Sequence, residues 1–270
     1  PNNVFLAPLA GYTNAVFREM CYNLGAGLTF TEMVSAKGLC YNSQNTRELL
    51  YITPTYGGIK AVQLFGSDPE YMRRAAASEE IAPFELIDIN MGCPVPKIFG
   101  NGDGSALLQD FAKASALIKA CKDSGKRVSV KFRIGLTADK LVAADFAKMC
   151  EDSGADMISV HGRTRDKIYA GEVNTEQIAA AKNAVKIPVI ANGGIFTPAD
   201  ADQLIERTGA DGVMLARGAM YSPWLFAEIT SRPMPDKRAL VKKQLEDTFR
   251  VYGERFAIVF MRKMAAFYTK

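Results

Sequence analysis

Short apolar, β-branched runs recur along the chain and alternate with longer stretches whose apolar residues follow helical spacing. Eight of the short runs read as strands: Val4–Leu6, Leu28–Thr31, Ala61–Phe65, Leu86–Asn90, Val128–Phe132, Met157–His161, Pro188–Ala191 and Gly212–Ala216. Helical periodicity fills the intervals over Asn14–Leu24, Pro69–Glu80, Phe111–Ser124, Ala138–Ser153, Thr175–Ala184, Pro198–Thr208 and Pro223–Thr230, and Ala36–Leu50 reads as helical in part. Strands that alternate with helices predict an α/β protein with a parallel sheet. Eight such units close a ring. The expected architecture over residues 1–232 is therefore a (β/α)8 TIM barrel. An open doubly wound sheet is the competing arrangement. It usually carries a Gly-rich turn after its first strand, and Ala7-Pro8-Leu9-Ala10-Gly11 lacks the GxGxxG pattern.

The pattern changes after Ile229. Pro233 and Pro235 interrupt it, a basic helix runs from Asp236 through Lys242 and Lys243 to Tyr252, and a second helical stretch covers Ala257–Tyr268. Residues 233–270 thus read as the start of a C-terminal α-helical domain. The helical pattern runs to the last residue, so this domain is expected to continue, and the missing initial Met is read as trimming. The two Gly-Ala-Asp segments, Gly154–Asp156 and Gly209–Asp211, are helix-ending glycines with short αβ loops rather than repeats.

Composition narrows the partners. The chain has 270 residues, 48% hydrophobic and 23% charged, as expected of a folded globular protein. A net charge of +4 permits a polyanionic partner without requiring one. The 5 cysteines are widely spaced, with neither CxxC nor a Cys/His metal pattern. Reduced thiols, a cytoplasmic setting and no metal are expected. No apolar run approaches the roughly 20 residues that a membrane span needs, and Pro1-Asn2-Asn3 does not open a signal peptide. A monomer is expected.

In a barrel, chemistry gathers at the C-terminal ends of the strands. Strand four ends in Asn90-Met91-Gly92-Cys93-Pro94, which carries a thiol to the rim, and Pro94 biases Cys93 away from helix. Gln63 lies near the end of strand three, Lys131 and Arg133 end strand five, and His161-Gly162-Arg163 ends strand six. Asn192-Gly193-Gly194 and Ala216-Arg217-Gly218 end strands seven and eight. Each has a bland reading when taken singly: Cys93 as a small buried hydrophobe, Lys131 as a snorkelling side chain, His161 as a satisfied core residue. Together they face one rim. Loops after strands seven and eight commonly hold a phosphate. Gly193 and Gly194 let backbone N–H groups approach an anion, and Arg217 offers a planar fork. Pro8-Leu9-Ala10 gives a small flat surface, and Gln63 and Lys131 bring an amide and a cation over the centre. A flat ring that gains negative charge on reduction, a flavin, suits this lining.

These residues, in this order, resemble the tRNA-dihydrouridine synthase family of flavoenzymes. The resemblance rests on Ala7-Pro8-Leu9-Ala10-Gly11-Tyr12-Thr13, Glu32-Met33-Val34-Ser35, Gln63-Leu64-Phe65-Gly66, Asn90–Pro94 with Lys97, Gly104-Ser105-Ala106-Leu107-Leu108, Lys131–Gly135, His161-Gly162-Arg163-Thr164-Arg165 with Tyr169 and Gly171, Asn192–Ile195, and Ala216–Ala219. It covers nearly the whole chain. It implies an FMN-bearing barrel, followed by a helical domain that helps grip tRNA, and reduction of uridine to 5,6-dihydrouridine at the expense of NADPH. By motif, Pro8, Leu9, Ala10, Gln63, Lys131, His161, Asn192, Gly193, Gly194, Ala216 and Arg217 would bind FMN. Hydride would reach uracil C6 from the flavin, Cys93 would be the general acid that protonates C5, and Asn90 would help hold the base. Lys97, Arg133, Arg163 and Arg165 would form part of a positive rim, with the basic C-terminal helix on the phosphate backbone. Many members have Asn-Gly-Asp where this chain has Asn192-Gly193-Gly194, and Gly-Arg-Gly where it has Ala216-Arg217-Gly218. Two alternatives stay open: an FMN barrel acting on a small molecule, as dihydroorotate dehydrogenases do, and a flavin-free phosphate-binding lyase or synthase.

Overall fold

The computed structural model describes residues 2–269. Eight parallel strands close into a barrel in chain order: Val4–Leu6 (β1), Leu28–Ser35 (β2), Lys60–Phe65 (β3), Leu86–Met91 (β4), Arg127–Arg133 (β5), Met157–His161 (β6), Val189–Asn192 (β7) and Gly212–Leu215 (β8). β1 pairs with both β2 and β8, so no strand edge is left open. The open doubly wound sheet is thereby excluded.

Strand alternation sorts the side chains into two cores. One parity faces the surrounding helices: Val62, Leu64, Ile87, Ile89, Val128, Val130, Phe132, Ile158 and Val160 all join the larger apolar cluster. The other parity faces inward. Phe5, Leu28, Phe30, Ala61, Leu86, Ile190 and Met214 form a small apolar plug near the strand starts. Above that plug the inward positions turn polar, with Gln63, Asp88, Asn90, Ser129, Lys131, Ser159, His161 and Asn192. The register stacks them: Gln63 pairs with Asp88, Asp88 with Ser129, Asn90 with Lys131, Arg133 with His161, and His161 with Asn192.

Local chemistry sets the helix starts. Asn14, Asp68, Asp110, Asn174 and Asp236 accept backbone N–H bonds as N-caps, and Thr197 with Asp200 forms a capping box ahead of Pro198. Some boundaries differ from the sequence reading. β2 was expected to stop at Thr31 and runs on to Ser35, because the register shifts between Phe30 and Met33. In that bulge the Thr31 hydroxyl oxygen accepts the Gln63 N–H at 3.0 Å. The helix expected from Ala138 starts at Ala143, since Gly135 and Leu141 first pair in a tight antiparallel bridge. The helix expected to reach Glu80 ends at Ala76. Three short elements went unforeseen: a helix over Pro96–Gly100, a 3-10 turn over Gly104–Gln109 and a helix over Arg217–Tyr221.

Two helices follow the barrel, Lys237–Tyr252 and Glu254–Tyr268. The first packs on the helix Ala15–Asn23 and the second on the short helix Arg217–Tyr221. Phe260, Met261 and Met264 join the same apolar cluster as the barrel's outer face. Lys263 donates to the Gly11 carbonyl and lies 3.9 Å from the Tyr12 ring centre, which ties the last helix to the β1 loop.

Candidate active site

The strand parity that buries Asp88 also delivers Asn90 to the end of β4, and Asn90 builds the turn that follows. Its Oδ1 accepts the backbone N–H groups of Gly92, at 3.2 Å, and Cys93, at 2.9 Å. From the other side, the Ser105 hydroxyl donates to the Cys93 carbonyl at 2.8 Å and the Ser105 N–H does so at 3.2 Å. The backbone of Cys93 is therefore held at both ends while its side chain stays half-buried. Burial pushes the thiol above its ordinary value, against a backbone N–H bond at Val95 and the charges of Arg133 and Lys131. A thiol raised in this way stays protonated at neutral pH and can donate a proton. Of the other cysteines, Cys21, Cys121 and Cys150 are fully buried packing residues.

Lys131 rises from β5 beside this turn. Its Nζ donates to Asn192 Oδ1 at 3.1 Å, and Asn192 Nδ2 donates to the Met214 carbonyl at 2.7 Å. Burial, with Arg133 nearby, lowers its ammonium to about 8, while Asp88 and Cys93 pull the other way. His161 is pushed well below its usual range, chiefly by burial and then by Arg133, Lys131, Arg163 and Arg217. It is thus a neutral imidazole among cations.

The arginines divide by role. Arg133 is 3% exposed, and its guanidinium donates to the carbonyls of Gly92, Thr164 and Ile168 at 2.9, 3.1 and 2.8 Å. It braces the Cys93 turn against the loop after β6. Arg163 is likewise buried and donates to Gly171 O at 3.0 Å. Arg165 lies 4.1 Å over the Phe99 ring, joining the same loop to the Pro96–Gly100 helix. Arg217 lies between two exposed rings, Tyr169 at 4.8 Å and Phe196 at 5.5 Å. Among the described residues none of Lys131, Arg133, Arg163, Arg165 or Arg217 has a carboxylate partner.

Gly193 and Gly194 have φ of +119° and +78°, and a Cβ on Gly193 would lie 2.9 Å from His161 Cδ2. The turn is therefore packed against His161 and Val173 and has no room for a side chain. Pro8 and Leu9 are half-buried and Ala10 is exposed at the same rim, and Ala216 leads into Arg217. Lys97 stands apart, exposed on the short helix with no hydrogen bond or ion pair among the described residues. Sequence reasoning missed Asp88 and Ser129 beneath Gln63 and Asn90, and the rings of Tyr169 and Phe196 around Arg217. The inward parity of Asp88 with Asn90 was the available signal. A cleft of about 1560 Å³ lies outside the barrel between the helices Ala15–Asn23 and Lys237–Tyr252. None of these residues lines it.

A closed parallel barrel with a protonated thiol, a buried ammonium and a glycine turn at its carboxyl end has the architecture of a TIM-barrel enzyme. The chain belongs to the dihydrouridine synthase family, whose model, Dihydrouridine synthase (Dus), matches residues 5–269. It is 37% identical to tRNA-dihydrouridine synthase B of Pseudomonas aeruginosa, over 99% of this chain and 84% of that protein. It is 36% identical to the protein of the same name from Salmonella typhimurium, over 100% and 87%. The barrel also superposes on histamine dehydrogenase from a Rhizobium species with a TM-score of 0.65 at 14% identity, covering 85% of this chain and 46% of that one. That likeness concerns the fold alone. No helix among the described residues is long and apolar enough to cross a membrane, and no cluster of three or more His, Cys, Asp or Glu side chains gathers there as a metal site.

Proposed function

We propose that this chain reduces uridine in tRNA to 5,6-dihydrouridine, with FMN as its bound cofactor and NADPH as the reductant. One observation carries the reading: a protonated thiol, Cys93, fixed by its backbone beside the Lys131–Asn192 pair, in a chain of the dihydrouridine synthase family. The residues present fit FMN. The Gly193–Gly194 turn has no side chain to shield its backbone N–H groups and no room for one, Arg217 follows β8 with no carboxylate partner among the described residues, and Lys131 and His161 would bring a cation and a neutral donor to the ring. Gln63 offers an amide there, and Pro8, Leu9, Ala10 and Ala216 complete the lining.

When bound, the flavin supplies the reducing equivalent. The rest falls to the chain. Cys93 donates the proton that the reduced pyrimidine takes at C5, and Asn90 helps hold the base beside it. A uridine in a folded RNA must leave its stack to enter, which the open strand ends permit. Lys97, Arg163 and Arg165 would meet the flanking backbone, and Arg133 braces the Cys93 turn against the loop after β6. The helix Lys237–Tyr252 adds Lys237 and Arg238, whereas its Lys242, Lys243 and Arg250 are paired within the helix.

The deciding test is direct. The purified protein should be yellow, and with NADPH it should convert uridine to dihydrouridine in tRNA transcribed without modification. A colourless preparation that takes up no added FMN would overturn the reading. Arg217→Ala should weaken FMN by about 10- to 100-fold, the range for losing a hydrogen bond to a charged group. Flavin fluorescence titration measures this, and an unaltered dissociation constant would remove Arg217 from the phosphate site.

A further inference from the structure

The polar column inside the barrel has an acid at its base. Asp88 is wholly buried on β4, two positions before Asn90. Ser129 Oγ donates to its Oδ1 at 2.6 Å, and Gln63 Nε2 donates to its Oδ2 at 2.6 Å. Asn90 Nδ2 then donates to Gln63 Oε1 at 2.9 Å. Asn90 Oδ1 accepts the N–H groups of Gly92 and Cys93. Every bond from the Cys93 turn down to Asp88 runs the same way.

The two ends dictate that sense. A backbone N–H only donates, and a carboxylate only accepts. An amide offers an oxygen on one side and an NH₂ on the other. Between these ends, one orientation of Gln63 and one of Asn90 satisfies every group. The reverse would set NH₂ hydrogens against two backbone N–H groups in a buried turn, an arrangement that leaves donors unpaired. With both carbonyl oxygens engaged inside the chain of bonds, each amide has a single N–H left for a ligand.

We propose that Asp88 is the positioning residue that fixes the sense of the Gln63 and Asn90 amides, so that Gln63 turns its remaining N–H toward the cofactor and Asn90 turns its own toward the pyrimidine. The Asn90 donor matches a ring carbonyl, as in uracil, and opposes an exocyclic amine, as in cytosine. This rests on the reading of the site as a uridine reductase.

The carboxylate must be ionised to act as a pure acceptor. Burial raises Asp88 to about 6, opposed by the bonds from Ser129 and Gln63 and by the charge of Lys131. Lys131 on β5 is the charged group that faces it, and β3 contributes only the Gln63 amide. Cys93 and Arg133 lie beyond the strand end and act on Lys131. The sign follows: the amide sense is held above about pH 6 and is released as pH falls through that value.

The test follows the side-chain amide ¹⁵N resonances of Gln63 and Asn90 in flavin-loaded protein from about pH 8 to about pH 5, alongside single-turnover reduction of uridine in tRNA. In the wild type both amides should shift together with one midpoint. Asp88→Asn should abolish that midpoint, keep its flavin and lower the single-turnover rate at least about tenfold, as expected when one charged hydrogen-bond anchor is lost. Ser129→Ala should raise the midpoint, because it removes a bond that favours the carboxylate, while the rate at high pH stays near that of the wild type. Should Asp88→Asn fail to fold, the Ser129→Ala midpoint decides. Amides that ignore pH in the wild type, an unmoved midpoint in Ser129→Ala, or an Asp88→Asn rate equal to that of the wild type would overturn the proposal. A wild-type protein whose amides titrate together but which reduces no uridine would instead sink the functional reading and leave the orienting role standing.

Discussion

Cys93→Ala is expected to bind flavin as the wild type does and to lose about 100- to 10,000-fold in the rate of dihydrouridine formation, the usual contribution of one positioned proton donor. Flavin content should not change, because the groups that would hold the cofactor come from other strands, β1, β3 and β5 to β8. The turn should also survive, since Asn90 Oδ1 and Ser105 hold the Cys93 backbone and not its side chain. Cys93→Ser should recover little, because a serine hydroxyl is a far weaker acid than a thiol. Rapid mixing of pre-reduced enzyme with tRNA isolates the step from cofactor reduction. A rate equal to that of the wild type would mean that another group protonates the ring.

The same thiol sets a pH dependence with a definite sign. Burial raises Cys93 above its ordinary value. The acid form therefore persists through neutral pH, and the thiol's own contribution to the profile is a decline on the alkaline side, as the thiolate forms. Lys131 complicates that limb. Its ammonium sits at about 8, so its charge fades over part of the same range. The limb should keep a component in Cys93→Ala if Lys131 contributes and lose it entirely if the thiol alone is responsible.

The barrel was legible because strand parity is a strict code. A short run rich in apolar and β-branched residues such as Leu86–Asn90 reads as a strand, and eight such runs leave few topologies. The ends of elements were less legible where tertiary partners decide them. Thr31 and Glu32 look like the end of a strand, yet the Thr31 hydroxyl takes over the Gln63 N–H and the strand continues through a bulge. The rim residues were readable as a set, since unlike polar types converged on strand ends. Their division of labour was not. Arg133 looks like a rim cation in the sequence, and in the fold its Nε and Nη1 donate to backbone carbonyls. Asp88 was hidden for the opposite reason. Between Ile87 and Ile89 it resembles an interruption, and only closure of the barrel shows that it stands under Gln63 and Asn90.

Gly193→Ala is the substitution expected to damage the cofactor site most per atom added. At φ +119° a side chain is strained whatever the space around it, at about 1–3 kcal/mol. The new methyl would also lie 2.9 Å from His161 Cδ2 and 3.1 Å from Val173 Cγ2. His161 cannot easily give way, because it is buried against Arg133, Lys131 and Arg163. The turn must therefore shift and move its N–H groups away from the Arg217 side. FMN affinity should fall about tenfold or more, as expected for loss of hydrogen bonds to a charged group. Gly209→Ala separates strain from site geometry. Gly209 also has a positive φ, +64°, but nothing lies within 4 Å of its added Cβ. It caps a helix ahead of β8, at the far end of the barrel from the glycine cradle. Gly209→Ala should lower the melting temperature and leave FMN binding untouched. Equal loss of FMN in both variants would show that the Gly193 effect is global destabilisation, and unchanged affinity in Gly193→Ala would show that this turn does not hold the phosphate.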